Sequence, residues 1–117
     1  MIQLEYQNIW SIDESFNEAR DPSEPSCFYL YLEVGETGDK SNNVFNVRVA
    51  NLAGAKQQGI KRPKNTKGLI VVYEYNWPKI KQLLEDILKE CQANDWDSSM
   101  SNLAKHFDWD YEKMRPI

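Results

Sequence analysis

Residues 27–34 read Cys-Phe-Tyr-Leu-Tyr-Leu-Glu-Val, and their alternation decides the fold. Phe28, Leu30, Leu32 and Val34 fall on one side of an extended chain and Tyr29, Tyr31 and Glu33 on the other, because successive side chains of a strand point to opposite faces. A strand with one wholly apolar face has to bury it against a second layer. The sequence supplies that layer downstream. Ile80, Leu83, Leu84, Ile87, Leu88 and Cys91 recur at three- and four-residue spacing, with Lys79, Lys81, Glu85, Asp86, Lys89 and Glu90 between them, the pattern of an amphipathic helix. Asn76 precedes it as an N-cap, and Pro78 falls in the first turn, where its missing N–H is harmless.

Working outward, residues 2–6 (Ile-Gln-Leu-Glu-Tyr) alternate and predict a strand, whereas residues 11–26 are polar and acidic and carry Pro22 and Pro25. A loop with a short helical piece near residues 13–20 is expected there. Residues 35–43 are dense in turn formers and lead into residues 44–49, where Phe45, Val47 and Val49 oppose Asn46 and Arg48, so a hairpin is expected. A short helix over 52–58 and a basic loop follow. Residues 69–75 (Leu-Ile-Val-Val-Tyr-Glu-Tyr) are apolar on both parities at their start, which predicts a central strand covered on both faces. Trp96, Met100, Leu103, Ala104 and Phe107 predict a second helix capped by Asp95 or Asp97, and residues 109–114 a last short strand. The expected fold class is α+β: one domain spanning 1–117, with an antiparallel or mixed sheet of about four to five strands and two main helices packed on one face.

Composition excludes several classes. A chain of 117 residues with 41% apolar and 12% aromatic residues is too hydrophobic to be wholly disordered and large enough for a real core. No run approaches the roughly 20 apolar residues of a membrane helix. The opening Met-Ile-Gln-Leu-Glu-Tyr lacks the basic and apolar regions of a signal peptide, so a cytoplasmic protein is expected, with no membrane partner. Cys27 and Cys91 have no CxxC or His-rich neighbourhood and read as free thiols.

Catalytic chemistry finds little to work with. His106 is the only histidine, and its place near the end of the second expected helix suits a structural role. No nucleophile elbow, zinc helix, phosphate loop or dinucleotide-binding glycine pattern is present. Adjacent carboxylates such as Glu85 and Asp86 do not face each other on a helix. The expectation is a non-enzymatic protein without cofactor or metal. A small hydrolase using Cys27 or His106 is the weakest reading.

Charge carries more information. Residues 1–39 hold nine acids and one base, for a net of −8; residues 40–81 hold nine bases and one acid, for +8; the remainder returns to −4. The acids Asp13, Glu14, Glu18, Asp21, Glu24, Glu33 and Glu36 form a candidate surface for a basic partner, since opposed charge speeds association and fixes register. Tyr29 and Tyr31 would supply aromatic anchors if no helix covers them. A basic partner of this kind is a nuclease or another nucleic-acid-binding protein. The alternative uses the basic loop 56–67, with Lys61, Arg62, Lys64 and Lys67 as an anion- or nucleic-acid-binding set. That loop has no interleaved aromatics for base stacking, and the acidic blocks oppose the encounter.

The strand Leu69-Ile-Val-Val-Tyr-Glu-Tyr75, the Asn76-Trp77-x-x-Ile80 helix start, Trp96, Leu103, the terminal Trp109-Asp-Tyr-Glu and the Phe45-Asn-Val-Arg-Val49 strand together resemble the immunity protein 8 family of bacterial polymorphic-toxin and contact-dependent inhibition systems. The resemblance runs from about residue 43 to 114; Asn76 stands where relatives have an acidic cap, and residues 51–67 are unusually glycine-rich and basic. It implies a small α+β protein that binds the C-terminal domain of a cognate toxin and neutralises it in the cell that makes both. A monomer or weak dimer is expected. Trp96 and Trp109 are read as helix–sheet anchors, and no functional residue carries over by motif.

Overall fold

The alternation at residues 27–34 is realised in a strand, β2 (Cys27–Glu36), that runs two residues beyond it. The computed structural model describes residues 1–11, 24–39, 42–60 and 65–109. In chain order around β2 come β1 (Leu4–Trp10), β3 (Asn42–Asn51), α1 (Leu52–Gln57), β4 (Leu69–Val72), α2 (Trp77–Cys91), α3 (Trp96–Leu103) and β5 (Asp108–Trp109). The sheet is mixed, in the order β1-β2-β3-β4, with β5 also on β3. β1, β2 and β3 are antiparallel neighbours; β4 runs parallel to residues 48–51 of β3, and β5 antiparallel to residues 45–46. β4 and β5 therefore share one edge of β3, end to end. The architecture is α+β, as the sequence predicts.

One face of the sheet is closed by the helices. Phe28, Leu30, Leu32 and Val34 of β2 and Phe45, Val47 and Val49 of β3 form one core with Ile80, Leu84, Leu88 and Cys91 of α2, Met100 and Leu103 of α3, and Phe107. Each large side chain so buried contributes about 1.5–3 kcal/mol. Phe45 is the aromatic hinge of this core: Trp109 stacks on it with centroids 5.7 Å apart, and Phe107 meets it edge-on at 6.3 Å. Trp96 also packs against the core, so both tryptophans are the anchors expected of them. On the other flank Tyr6 donates its hydroxyl proton to the Leu84 carbonyl at 2.6 Å, tying β1 to α2, and burial pushes its phenol pKa upward.

The helix caps are the expected ones. The Asn76 side chain accepts the Lys79 N–H, and Asp95 accepts the Ser98 N–H at 2.7 Å and the Ser98 hydroxyl at 3.1 Å. These bonds, the backbone one first, hold the Asp95 carboxyl below the ordinary aspartate range. A depressed folded-state pKa means that the ionised form favours folding: its contribution is complete above the ordinary value of 3.8 and is lost as pH falls through the lower folded value. Asp95→Ala is therefore expected to lower the urea midpoint at pH 7, with the gap to wild type narrowing as pH falls below 3.8. A gap that stays constant across that range would dissociate the cap from the charge.

Two expectations are corrected. β4 is a four-residue edge strand and not a central one: Ile70 is buried, while Leu69, Val71 and Val72 are half-buried. Its free side is closed by its own leading turn. Thr66 and Leu69 exchange backbone bonds at 3.0 and 3.1 Å, and the Asn65 side chain accepts the Val71 N–H at 2.8 Å. Local capping and α1 nearby cover a strand as effectively as a second sheet neighbour, so apolarity on both parities does not distinguish them. The most buried strand is β3, where Phe45, Asn46, Val47, Val49 and Ala50 are all buried, while Val44 and Arg48 on its outer side are half-buried. The second correction is in β1, which extends to Trp10 through a register shift between Tyr6 and Asn8. The helical piece expected near residues 13–20 and residues 110–114 lie outside the described residues.

A candidate protein-binding face on the sheet

The face turned away from α2 and α3 belongs to the odd residues of β2. Cross-strand partners share a face, so the register sets out its rows. Trp10, Tyr31, Asn46 and Asp108 lie in one row across four strands; Tyr29, Arg48 and Leu69 lie in the next; Asn8, Glu33 and Val44 lie in the row on the other side. Trp10 and Tyr31 stack, with centroids 5.5 Å apart and planes 18° from parallel. Tyr29 is 47% exposed. Its carbonyl accepts the Ser11 hydroxyl at 2.6 Å, which pins the end of β1 near the start of β2.

Trp10 is the residue that strand periodicity misses. Counting by twos from Leu4 and Tyr6 would put Trp10 on the helix side with Asn8 before it. The bulge between Tyr6 and Asn8 instead returns Ile9 to the helix side, opposite Leu32, and turns Trp10 outward to Tyr31. The signal was the polar Asn8 at a core parity directly followed by an apolar Ile9.

The sequence-predicted acids divide. Glu33 sits on the open face beside Val44, half-buried. Glu36 does not join it: pairing with Leu4 places it on the helix-side parity, at the rim. Glu24 is exposed just before β2, where its carbonyl accepts the Asn51 amide at 2.6 Å. Nine residues of strand separate the two ends of β2, roughly 30 Å, so Glu24 and Glu36 do not act at one point. Asp13, Glu14, Glu18 and Asp21 lie outside the described residues, as do Lys61, Arg62 and Lys64 of the basic set. Lys67 is exposed in the turn before β4.

The chemical candidates are dispersed. Cys91 is in the core, and burial pushes its thiol up to about 11, which keeps it protonated and poorly nucleophilic at neutral pH. Cys27 begins β2 opposite Ala50, and neither cysteine is in a disulfide. His106 sits in the turn after α3, its carbonyl accepting the Gly68 N–H at 2.8 Å. Among the described residues no group of three or more His, Cys, Asp or Glu side chains could hold a metal ion, and no helix is long and apolar enough to cross a membrane. The open face presents large aromatic rings on paired strands, with a carboxylate and a guanidinium in adjoining rows.

The family model described as Immunity protein 8 matches residues 4–114, which takes in β1 and β2 as well as the stretch from β3 onward. No curated protein and no solved structure matches the chain.

Proposed function

Because the chain belongs to the immunity protein 8 family, we propose that it binds the C-terminal domain of a toxin encoded with it and occludes that domain's active site, in the cytoplasm of the cell that makes both. The observation that carries the function is the family match over nearly the whole chain. The toxin partner follows from the family name, and a nuclease is the toxin best suited to this surface. A nuclease groove is built to hold phosphates, and carboxylates can stand in for them against its basic residues.

The contact surface in this reading is the open sheet face. Tyr29, with Tyr31 braced by Trp10, supplies the apolar anchors, and Glu33 supplies charge within the patch. The acids Asp13, Glu14, Glu18, Asp21 and Glu24 of the β1–β2 connection add long-range attraction; that connection leaves from Ser11 beside Tyr29 and returns at Glu24. Division of labour follows: the acids set the rate of encounter and the rings hold the complex.

The test is co-expression with the neighbouring toxin domain, followed by kinetics of the purified pair. Protection from toxicity is expected. Raising salt, or Glu33→Lys, should slow association by roughly tenfold with a smaller change in dissociation. Absence of protection would end the immunity reading. Protection with association indifferent to salt and to Glu33→Lys would retain it and remove the electrostatic mechanism.

A further inference from the structure

A second surface lies along the β4 edge of the sheet, between the turn before β4 and the outer side of α2. It is a cleft of about 440 Å³ whose lining includes Leu69, Leu83 and Ile87 on the apolar side and Lys67, Lys105 and His106 on the polar side. Three separate parts of the chain meet here. Thr66 and Leu69 close the turn, with Gly68 at φ +77° as its left-handed residue. The Gly68 N–H bonds to the His106 carbonyl, which fixes the α3–β5 turn against it. α2 contributes Leu83, Ile87 and Glu90 at helical spacing. The walls are thus backbone-anchored, and the volume is within the roughly 300–1,000 Å³ of ligand clefts.

The lining selects its occupant. Two ammonium groups and an imidazole on one wall favour a carboxylate. The half-buried leucine and isoleucine opposite favour an apolar side chain next to it. A nucleic acid fits less well: Glu90 offsets one of the two lysines, so the lining keeps a surplus of one positive charge, which suits a single carboxylate better than a phosphate chain, and the lining has no Trp, Tyr or Phe for base stacking. An added β-strand is also disfavoured, because Asn65 and Thr66 already occupy the outward-facing groups of β4.

We infer that this cleft is a second contact with the toxin, receiving an extended segment that seats an apolar side chain on Leu83 and Ile87 and an acidic one against Lys67, Lys105 and His106. The inference rests on the immunity reading. It also gives part of the basic middle block a role: a toxin with a basic groove and an acidic segment would be gripped by surfaces of opposite charge, which fixes its orientation.

The experiment measures affinity of the purified toxin domain for wild type, Lys105→Glu, Lys67→Glu and Lys105→Arg, with hydrogen exchange of the complex. Each glutamate variant should weaken binding about tenfold while Lys105→Arg stays near wild type, and residues 65–69 and 104–107 should gain protection in the complex. If the complex forms and protects cells, yet the glutamate variants bind as wild type and those residues gain no protection, the cleft is not a contact and the open-face reading stands. Capture of a labelled oligothymidine at the cleft, lost in Lys105→Glu, would overturn it in favour of phosphate binding. Failure of any complex to form would overturn the immunity reading and this inference with it.

Discussion

Gly54→Ala, a change that usually stabilises a helix, is expected to destabilise this protein strongly. In a helix interior alanine gains about 0.5–1 kcal/mol over glycine. Here a Cβ on Gly54 would run into the backbone carbonyl of Ser26, at the start of β2, closer than any real contact. The approach is tight because Asn51 holds it so. Its side-chain oxygen accepts both the Ser26 N–H at 2.9 Å and the Gly54 N–H at 2.7 Å, and its amide donates to the Glu24 carbonyl at 2.6 Å. The Asn51 N–H in turn donates to the Ser26 carbonyl at 3.0 Å. Asn51 and Ser26 are 2% and 1% exposed, so bonds lost here are not replaced by water.

A methyl at residue 54 must push α1 off β2 and open that set. Overpacking costs about 1–3 kcal/mol and each buried group left unsatisfied about 1–3 more. We expect a loss of about 3–4 kcal/mol and a melting point lower by roughly 12–16 °C. Asn51→Ala should come close to it, since it removes the same bonds without the clash. The measurement is urea and thermal unfolding by circular dichroism. A Gly54→Ala protein as stable as wild type or more so would mean that α1 does not dock on Ser26 as described.

Much of this fold was legible, and the failures have physical causes. β2, β3 and α2 carry their periodicities in uninterrupted runs, and Asn76 and Asp95 are caps whose chemistry is local. β1 was expected over residues 2–6 and runs over Leu4–Trp10: a bulge changes parity without changing composition, so the strand's second half, with Trp10, was lost from the open face. β4 failed because burial by a turn and a helix leaves the same apolar signature as burial within a sheet. Glu36 could have been placed correctly by continuing the count 28, 30, 32, 34. The cleft was not legible at all. Lys67 and Lys105 stand 38 positions apart, and only the pairing of Gly68 with His106 brings their turns together. The charge blocks alone fit a partner surface or pairing within the chain equally well, because long-range contacts decide which charges share a surface.

The largest effect on toxin binding is expected from Tyr29→Ala. A tyrosine offers roughly 200 Å² of surface, and 47% of this one remains exposed. A partner can therefore still bury about 100 Å², about 2.5 kcal/mol at 25 cal/mol per Å². That is the size of a hot spot and corresponds to roughly 60-fold in affinity. The ring is also pre-positioned, because its strand is paired on both sides and its carbonyl is held by Ser11, so little ordering opposes the gain. The same exposure predicts a small cost to folding, which separates binding from stability. Tyr73→Ala is the matched control: this tyrosine is 79% exposed on the β4–α2 connection, beyond the open-face rows that contain Tyr29. Calorimetric titration of the toxin domain into each variant, with melting points measured alongside, gives the comparison. Unchanged affinity for Tyr29→Ala, or an equal loss for Tyr73→Ala, would take the toxin off the open face of β2.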